Sequence, residues 1–229
     1  MGAPFALQPH GDRAVSVVFP SEISEAVSRA VLAMCDALDA ARLPGIISCV
    51  PAYHTLLVEY DPLLLTYGQA TELLRSLAWD EAGETPGRVV TIPVCYGGEL
   101  GPDLERVAEH TGLTLREVVA RHAAGAYRVY MLGFRPGFPY LGGLDPRLAT
   151  PRRKTPRARV EGGSVGIAGE QTGVYPEPSP GGWNIIGRTP LKLFDEEKLS
   201  VLRPGDTLRF LPVDLAADEA ALEKGGWPV

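Results

Sequence analysis

YRVYMLGFRPGFPYLGG, residues 127–143, marks the point where the texture of this chain changes. A short aromatic and apolar run gives way to a segment in which Gly and Pro alternate with Phe and Tyr, and similar short pieces follow to residue 213: GSVGIAG, GVYP, WNIIG, LKLFD and DTLRFLPV. Short β-like runs divided by the permissive residue and the rigid one are the pattern of an all-β barrel or sandwich, whose many turns need both.

Upstream the rhythm differs. AVSVVF (14–19) reads as a strand ended by Pro20. With Ser21 as its cap, a helix follows in which Ile23, Val27, Ala30, Val31, Met34 and Leu38 recur at the spacing of one buried face, and Pro44-Gly45 ends it. IISCV (46–50) and HTLLVEY (54–60) form a hairpin across Pro51-Ala52-Tyr53. TYGQATELLRSLAW is a second helix, with Leu73, Leu74, Leu77 and Ala78 on one side; EAGETPG (81–87) has the composition of a linker, and the strand RVVTIPV follows. The element order is βαββαβ, the split arrangement of an antiparallel sheet with helices on one face. The expected class is α+β, with a small α/β domain over 1–86 and, over 87–229, a β-barrel or sandwich domain with two short helices.

Those two helices are DLERVAEHT, which ends at Gly112, and LTLREVVARH, where Thr114 and Glu117 have the spacing of a capping box. The pair is not read as a DNA-binding helix-turn-helix, because the segment carries at least as many acids as Arg and Lys, four against three. ADEAALEKGGW (217–227) is expected to be a terminal helix or tail.

A chain of 229 residues with 45% hydrophobic content can bury its own core. The net charge of -6 argues against broad nucleic-acid binding. Cys35, Cys49 and Cys95 are odd in number and widely spaced, so buried reduced thiols are expected rather than a disulfide framework. No apolar run approaches a membrane span and no signal-peptide pattern opens the chain, which makes the cytoplasm the expected address.

The charge is unevenly spread. Residues 133–190 hold eight Arg or Lys against four Asp or Glu, a net +4, which by subtraction from -6 leaves -10 on the rest. A basic island in an acidic protein favours an anionic ligand. Its densest part, PRRKTPRAR (151–159), reads either as a solvated loop or as an anion site; nearby hydroxyls and amides at Ser164, Gln171, Thr172, Ser179 and Thr189 supply what a site also needs.

Ready-made catalytic motifs do not account for this region. GGSVG (162–166) matches a nucleophile-elbow pattern, yet all four histidines (10, 54, 110 and 122) precede Ser164, against the order of an α/β-hydrolase triad; Ser164 reads as a turn or ligand hydroxyl. The chain has neither a dinucleotide-binding glycine motif nor a P-loop, and its scattered histidines make no metal-ligand cluster. His122 sits just before the strand leading into GFRPGFPYL, where a structural role is the plainer reading.

HAAGAYRVYMLGFRPGFPYLGGLD (122–145), TPRRKTPRARV (150–160), GSVGIAGEQTGVYPEPSPGGWNIIGRTPLKLFD (163–195) and IPVCYGGELGPDLERVA (92–108) together resemble the KipI family, also called the B-type 5-oxoprolinase subunit family or allophanate hydrolase subunit 1, a carboxyltransferase-domain family. The resemblance implies a cyclophilin-like barrel behind the small N-terminal domain. It further implies a subunit of an ATP-dependent 5-oxoprolinase that opens L-5-oxoproline to L-glutamate, with ATP and Mg2+ used by the complex and no biotin attachment on this chain. The implied partners are a KipA-like subunit and a LamB/YcsF-like subunit; a carboxyltransferase role in a urea or allophanate pathway, inhibition of a sensor histidine kinase, and self-association stay open. Matching positions place Tyr140, Arg152, Gln171, Thr172, Tyr175, Ser179, Trp183, Arg188 and Thr189 in a substrate or nucleotide site. Arg152 and Arg188 are expected to meet phosphate or carboxylate, Gln171 and Thr172 to orient substrate, and Tyr140 and Trp183 to supply flat walls, while Phe134, Phe138 and Pro139 serve core and turn. One departure stands out: where the family reads V-P-A-G-S-V, this chain has VEGGSV, with Glu161 and Gly162 beside the basic run.

Overall fold

The computed structural model describes residues 5–22, 24–80, 85–197 and 199–214. The chain divides into two compact units, Met1–Pro86 and Gly87–Val229. The expected terminal helix or tail at 217–227, Ile23 and most of the linker segment lie outside the described residues.

The first unit is one antiparallel sheet with two helices. Strands β1 (Ala6–His10), β2 (Ala14–Val18), β3 (Ile46–Pro51) and β4 (Thr55–Tyr60) lie in the order β1-β2-β4-β3. Alternation puts Val15, Val17, Leu56 and Val58 on the face that meets Val27, Ala30, Val31, Met34 and Leu38 of helix α1 (Glu25–Ala41) and Leu74 of helix α2 (Tyr67–Ser76). Ser24, rather than Ser21, caps α1, its hydroxyl accepting from the Val27 amide at 3.2 Å.

Two expectations change here. The strand read as the sixth element of this unit, β5 (Val89–Tyr96), belongs instead to the barrel of the second unit, and the sheet takes its fourth strand from β1. Local periodicity marks a strand without naming its partner, and ALQPH, an edge strand with four of five residues exposed, lacks the apolar alternation that would reveal it. Cys35 and Cys49 are not separate reduced thiols: they form a disulfide with Cα atoms 6.1 Å apart, and Cys95 is buried and outside that disulfide. Cys35 on α1 faces Cys49 on the sheet edge, a proximity set by helix-on-sheet packing and invisible in a spacing of 14. The two sulfurs lie close to an Asp39 carboxylate oxygen, but being bonded to each other they offer no thiolate to a metal.

The second unit is a closed seven-stranded barrel. Helices α3 (Leu104–Thr111) and α4 (Leu115–Ala124) follow β5; the later barrel strands are β6 (Tyr127–Leu132), β7 (Pro139–Gly142), β9 (Ser164–Ala168), β10 (Gln171–Val174), β12 (Asn184–Arg188) and β15 (Thr207–Pro212). Their order is β10-β7-β6-β15-β5-β12-β9, and β9 pairs with β10 to close the ring. YRVYMLGFRPGFPYLGG forms the β6–β7 hairpin. Outside the ring lie two ribbons, β8 (Arg157–Val160) with β11 (Ser179–Gly181), and β13 (Phe194–Asp195) with β14 (Leu199–Ser200). Val129, Leu141, Val165, Ile167, Val174, Ile186, Leu208 and Phe210 fill the interior together with Val107 and Val118 from the helices. The expected capping box is present: Glu117 N–H donates to the Thr114 hydroxyl at 3.3 Å and Thr114 N–H to the Glu117 carboxylate at 2.9 Å.

Candidate functional site

A second, smaller core of Phe138, Val160, Ala168, Tyr175, Trp183 and Ile185 holds two of the nine expected site residues, Tyr175 and Trp183, and a third, Tyr140, packs against it. Neighbours in sequence reveal its location: Ile186 belongs to the barrel interior and Ile185 to this cluster, so the cluster lies on the outer face of the wall made by β9, β10 and β12. Phe138 is its hub, meeting Tyr140, Tyr175, Trp183 and Phe134 edge-on with ring centroids 5.2–5.7 Å apart. Glycines permit this approach; a Cβ on Gly173 would stand 3.0 Å from the Trp183 ring.

Burial separates the aromatic roles. Phe138, Tyr175 and Trp183 are buried, so Trp183 is part of the support rather than an open wall. Tyr140 is the partly exposed edge of the cluster. Phe134, expected in the core, is instead exposed, and its φ of 63° places a bulky side chain in the left-handed region at the hairpin tip. Burial pushes the Tyr175 phenol up, against the Trp183 backbone hydrogen bond and the charges of Arg152 and Arg157, which favour the phenolate.

The five cations of PRRKTPRAR are not equivalent. Arg153 donates to Asp103 at 2.5 Å, and Arg157 donates two hydrogen bonds to the same carboxylate at 2.7 and 2.9 Å. Asp103 also accepts from the Ile185 amide at 2.7 Å, and its side chain is 3% exposed. Desolvation alone would raise its pKa, but Arg157, the Ile185 amide and the charge of Arg153 outweigh it and hold the carboxyl below its ordinary range. Arg159 pairs with Glu161 at 2.6 Å. Arg152 and Lys154 make no ion pair among the described residues. Sequence reasoning missed Asp103, because it lies about 50 residues before its partners, in a segment read only as the start of a helix.

Gln171 and Thr172, expected to act together, face opposite sides of β10. Thr172 is buried and turned inward, donating to the Gly166 carbonyl at 3.0 Å and facing His122 Nε2 at 2.9 Å. Since its one proton is used, Thr172 accepts from Nε2–H, and His122 Nδ1 accepts from the Tyr96 hydroxyl at 2.7 Å. The ring is stacked on Phe210, fully buried, and its pKa is lowered by desolvation to about 3. Thr172 and His122 are thus parts of the barrel interior, whereas Gln171 shares the outer face with Gly173. Ser179 is buried in β11 beside Val160, and the Thr189 hydroxyl accepts from the Leu191 amide at 3.2 Å.

Arg188 pairs in register with Ser164, and its Nε is buried with no hydrogen-bond partner among the described residues. The elbow motif is excluded by geometry, since Ser164 starts a barrel strand rather than a strand-to-helix turn. Next to it, Gly163 has φ 79°, and a Cβ there would collide with the Thr189 carbonyl.

Residues 5–202 match the carboxyltransferase domain, subdomain C and D. The chain belongs to that family. The carboxyltransferase subdomain C and D match stops before β15, although that strand completes the barrel by parallel pairing with β5. This family member is 44% identical over 225 residues to a 5-oxoprolinase subunit of Bacillus subtilis, covering 91% of this chain and 93% of that one. It superposes on the crystal structure of TTHA0988 with a TM-score of 0.79 at 45% identity, over 88% of this chain and 40% of that longer one. The urea amidolyase of K. lactis shares the fold, with a TM-score of 0.76 at 18% identity over 96% of this chain and 15% of that one. Among the described residues no helix is long and apolar enough to cross a membrane.

Proposed function

We propose that this chain is a subunit of an ATP-dependent 5-oxoprolinase and opens L-5-oxoproline to L-glutamate together with KipA-like and LamB/YcsF-like partners. The observation that carries this reading is the 44% identity, over nearly the full length of both chains, to a protein named as a 5-oxoprolinase subunit. A five-membered lactam is a stable amide, and transfer of the γ-phosphoryl group of ATP, as its Mg2+ complex, to the lactam oxygen makes its carbon electrophilic. Water then adds, the C–N bond breaks as the ring nitrogen takes a proton, and the acyl phosphate that remains is hydrolysed to glutamate and phosphate.

The outer face of the barrel fits the binding part of this task. Tyr140 offers a flat edge, Gln171 an amide, and Arg152 and Arg188 positive charge, while the acid, base and phosphoryl-transfer groups come from the partners. The test is glutamate release from L-5-oxoproline and ATP by the three mixed subunits, each omitted in turn. We expect activity only from the complete set, and a loss of about tenfold or more for Arg188→Ala, the scale of one charge-assisted hydrogen bond. Turnover by this chain alone would contradict the composite reading. The family description and the shared fold of a urea amidolyase favour one second reading, a carboxyltransferase component; dependence on biotin and bicarbonate in place of L-5-oxoproline would establish it.

A further inference from the structure

We infer that Asp103 sorts the charges of the basic loop, withdrawing Arg153 and Arg157 from ligand binding and leaving Arg152 to receive a single carboxylate, so that this loop excludes a polyphosphate chain. The inference rests on the 5-oxoprolinase reading and deepens it: the substrate carboxylate binds here, and the nucleotide phosphates are held by another subunit.

Backbone contacts fix the loop first. The Pro151 carbonyl accepts from the Asn184 side-chain amide at 2.9 Å, and the Arg153 N–H donates to the Gly182 carbonyl at 2.8 Å. Arg152 is therefore held between two tethers to the stretch that contains Trp183. The side chains on either side of this anchor point are then divided by Asp103. Its carboxylate, nearly free of solvent, takes three hydrogen bonds from Arg153 and Arg157, and charge-assisted bonds of this kind are not surrendered to a competing anion without leaving a buried carboxylate unpaired. Arg159 is neutralised by Glu161, the residue that departs from the family pattern. Arg152 remains exposed and without an ion pair among the described residues, close enough to Tyr175 for its charge to act on that phenol. Lys154 is also exposed and unpaired among the described residues, but only Arg152 has anchored backbone on both sides. Within this loop one positioned guanidinium suits one carboxylate; a triphosphate carries several charges and would need several of the loop's cations at once.

The test uses the full chain and three variants, with L-5-oxoproline and inorganic tripolyphosphate as probes in calorimetric titrations at fixed salt. We expect the wild type to bind L-5-oxoproline more tightly than tripolyphosphate. Arg152→Gln should weaken L-5-oxoproline binding by about tenfold, the scale of a charged hydrogen bond, while Lys154→Gln, which makes the same change in net charge, leaves it within about twofold. Asp103→Asn should gain tripolyphosphate affinity, a gain that simple loss of structure would not produce. Equal effects of Arg152→Gln and Lys154→Gln, no wild-type binding of L-5-oxoproline, or tight wild-type binding of tripolyphosphate would each overturn the inference. If Asp103→Asn does not fold, the comparison of the two exposed cations still decides. Failure of the reconstituted assay with these bindings intact would count against the 5-oxoprolinase reading and not against the charge sorting.

Discussion

Asp103 and His122 show how two buried polar groups of one barrel respond to pH in different windows. Asp103 is held below its ordinary 3.8, so the stability it contributes is present above that value and is lost as the pH falls through its lowered folded value. Asp103→Ala should destabilise the barrel unit by about 3–5 kcal/mol at neutral pH, because two partly buried arginines and the Ile185 amide lose their partner; urea denaturation would measure it. His122 is neutral when folded, with a pKa near 3 against an ordinary 6.5, so the unfolded chain binds a proton that the folded one refuses. Stability falls as the pH drops from about 6.5 towards 3. His122→Phe keeps the stack on Phe210 and orphans the Tyr96 hydroxyl, so we expect a loss of about 1–3 kcal/mol at neutral pH and a flatter pH slope between these two values. An unchanged slope in a series of denaturation curves would contradict this account.

Among elements, the disulfide and the turn before β9 are the sharpest constraints. Cys35–Cys49 ties α1 to the edge strand β3 and spans 14 residues, for which loop-closure entropy gives about 3 kcal/mol. Cys49→Ser should lower the stability of the first unit by that order under non-reducing conditions and have little effect once the wild type is reduced. The turn at Gly163 needs the left-handed backbone and also a bare Cα, since the Thr189 carbonyl lies where a Cβ would be. Gly163→Ala should cost about 1–2 kcal/mol from backbone strain alone, with the carbonyl clash added. Helix signals at this scale were readable: Thr114 and Glu117 formed their capping box and Gly112 its left-handed cap, because such motifs act within one turn of chain.

For the whole molecule, two cores of separate composition lead to a further expectation. Val15, Met34 and Leu56 belong to the first unit, and Ile92, Val129 and Ile186 to the second. Amide hydrogen exchange read by mass spectrometry should therefore show that a reductant lowers protection in α1, β3 and β4 while leaving β5, β9 and β12 unchanged. Loss of protection throughout both units would show that the disulfide governs more than the sheet it spans.

The sequence by itself determined most of the helices and strands, the change of texture at Tyr127, a turn-rich β domain of barrel or sandwich type and the presence of a basic island, because each rests on local periodicity, turn chemistry or charge. Its resemblance to a known family supplied candidate residues, and these include the aromatic edge at Tyr140 and the exposed Arg152. Tertiary structure alone decided that β5 leaves the first sheet to pair in parallel with β15, that Cys35 meets Cys49, and that Asp103 claims Arg153 and Arg157. It also divided Gln171 from Thr172, one on the outer face and one inside, which adjacency in sequence does not convey. The reason is the same in each case: strand partners, bonded sulfurs and shared carboxylates are contacts between distant positions, fixed by closure of the barrel and packing of the sheet, and a local pattern carries no address for its partner.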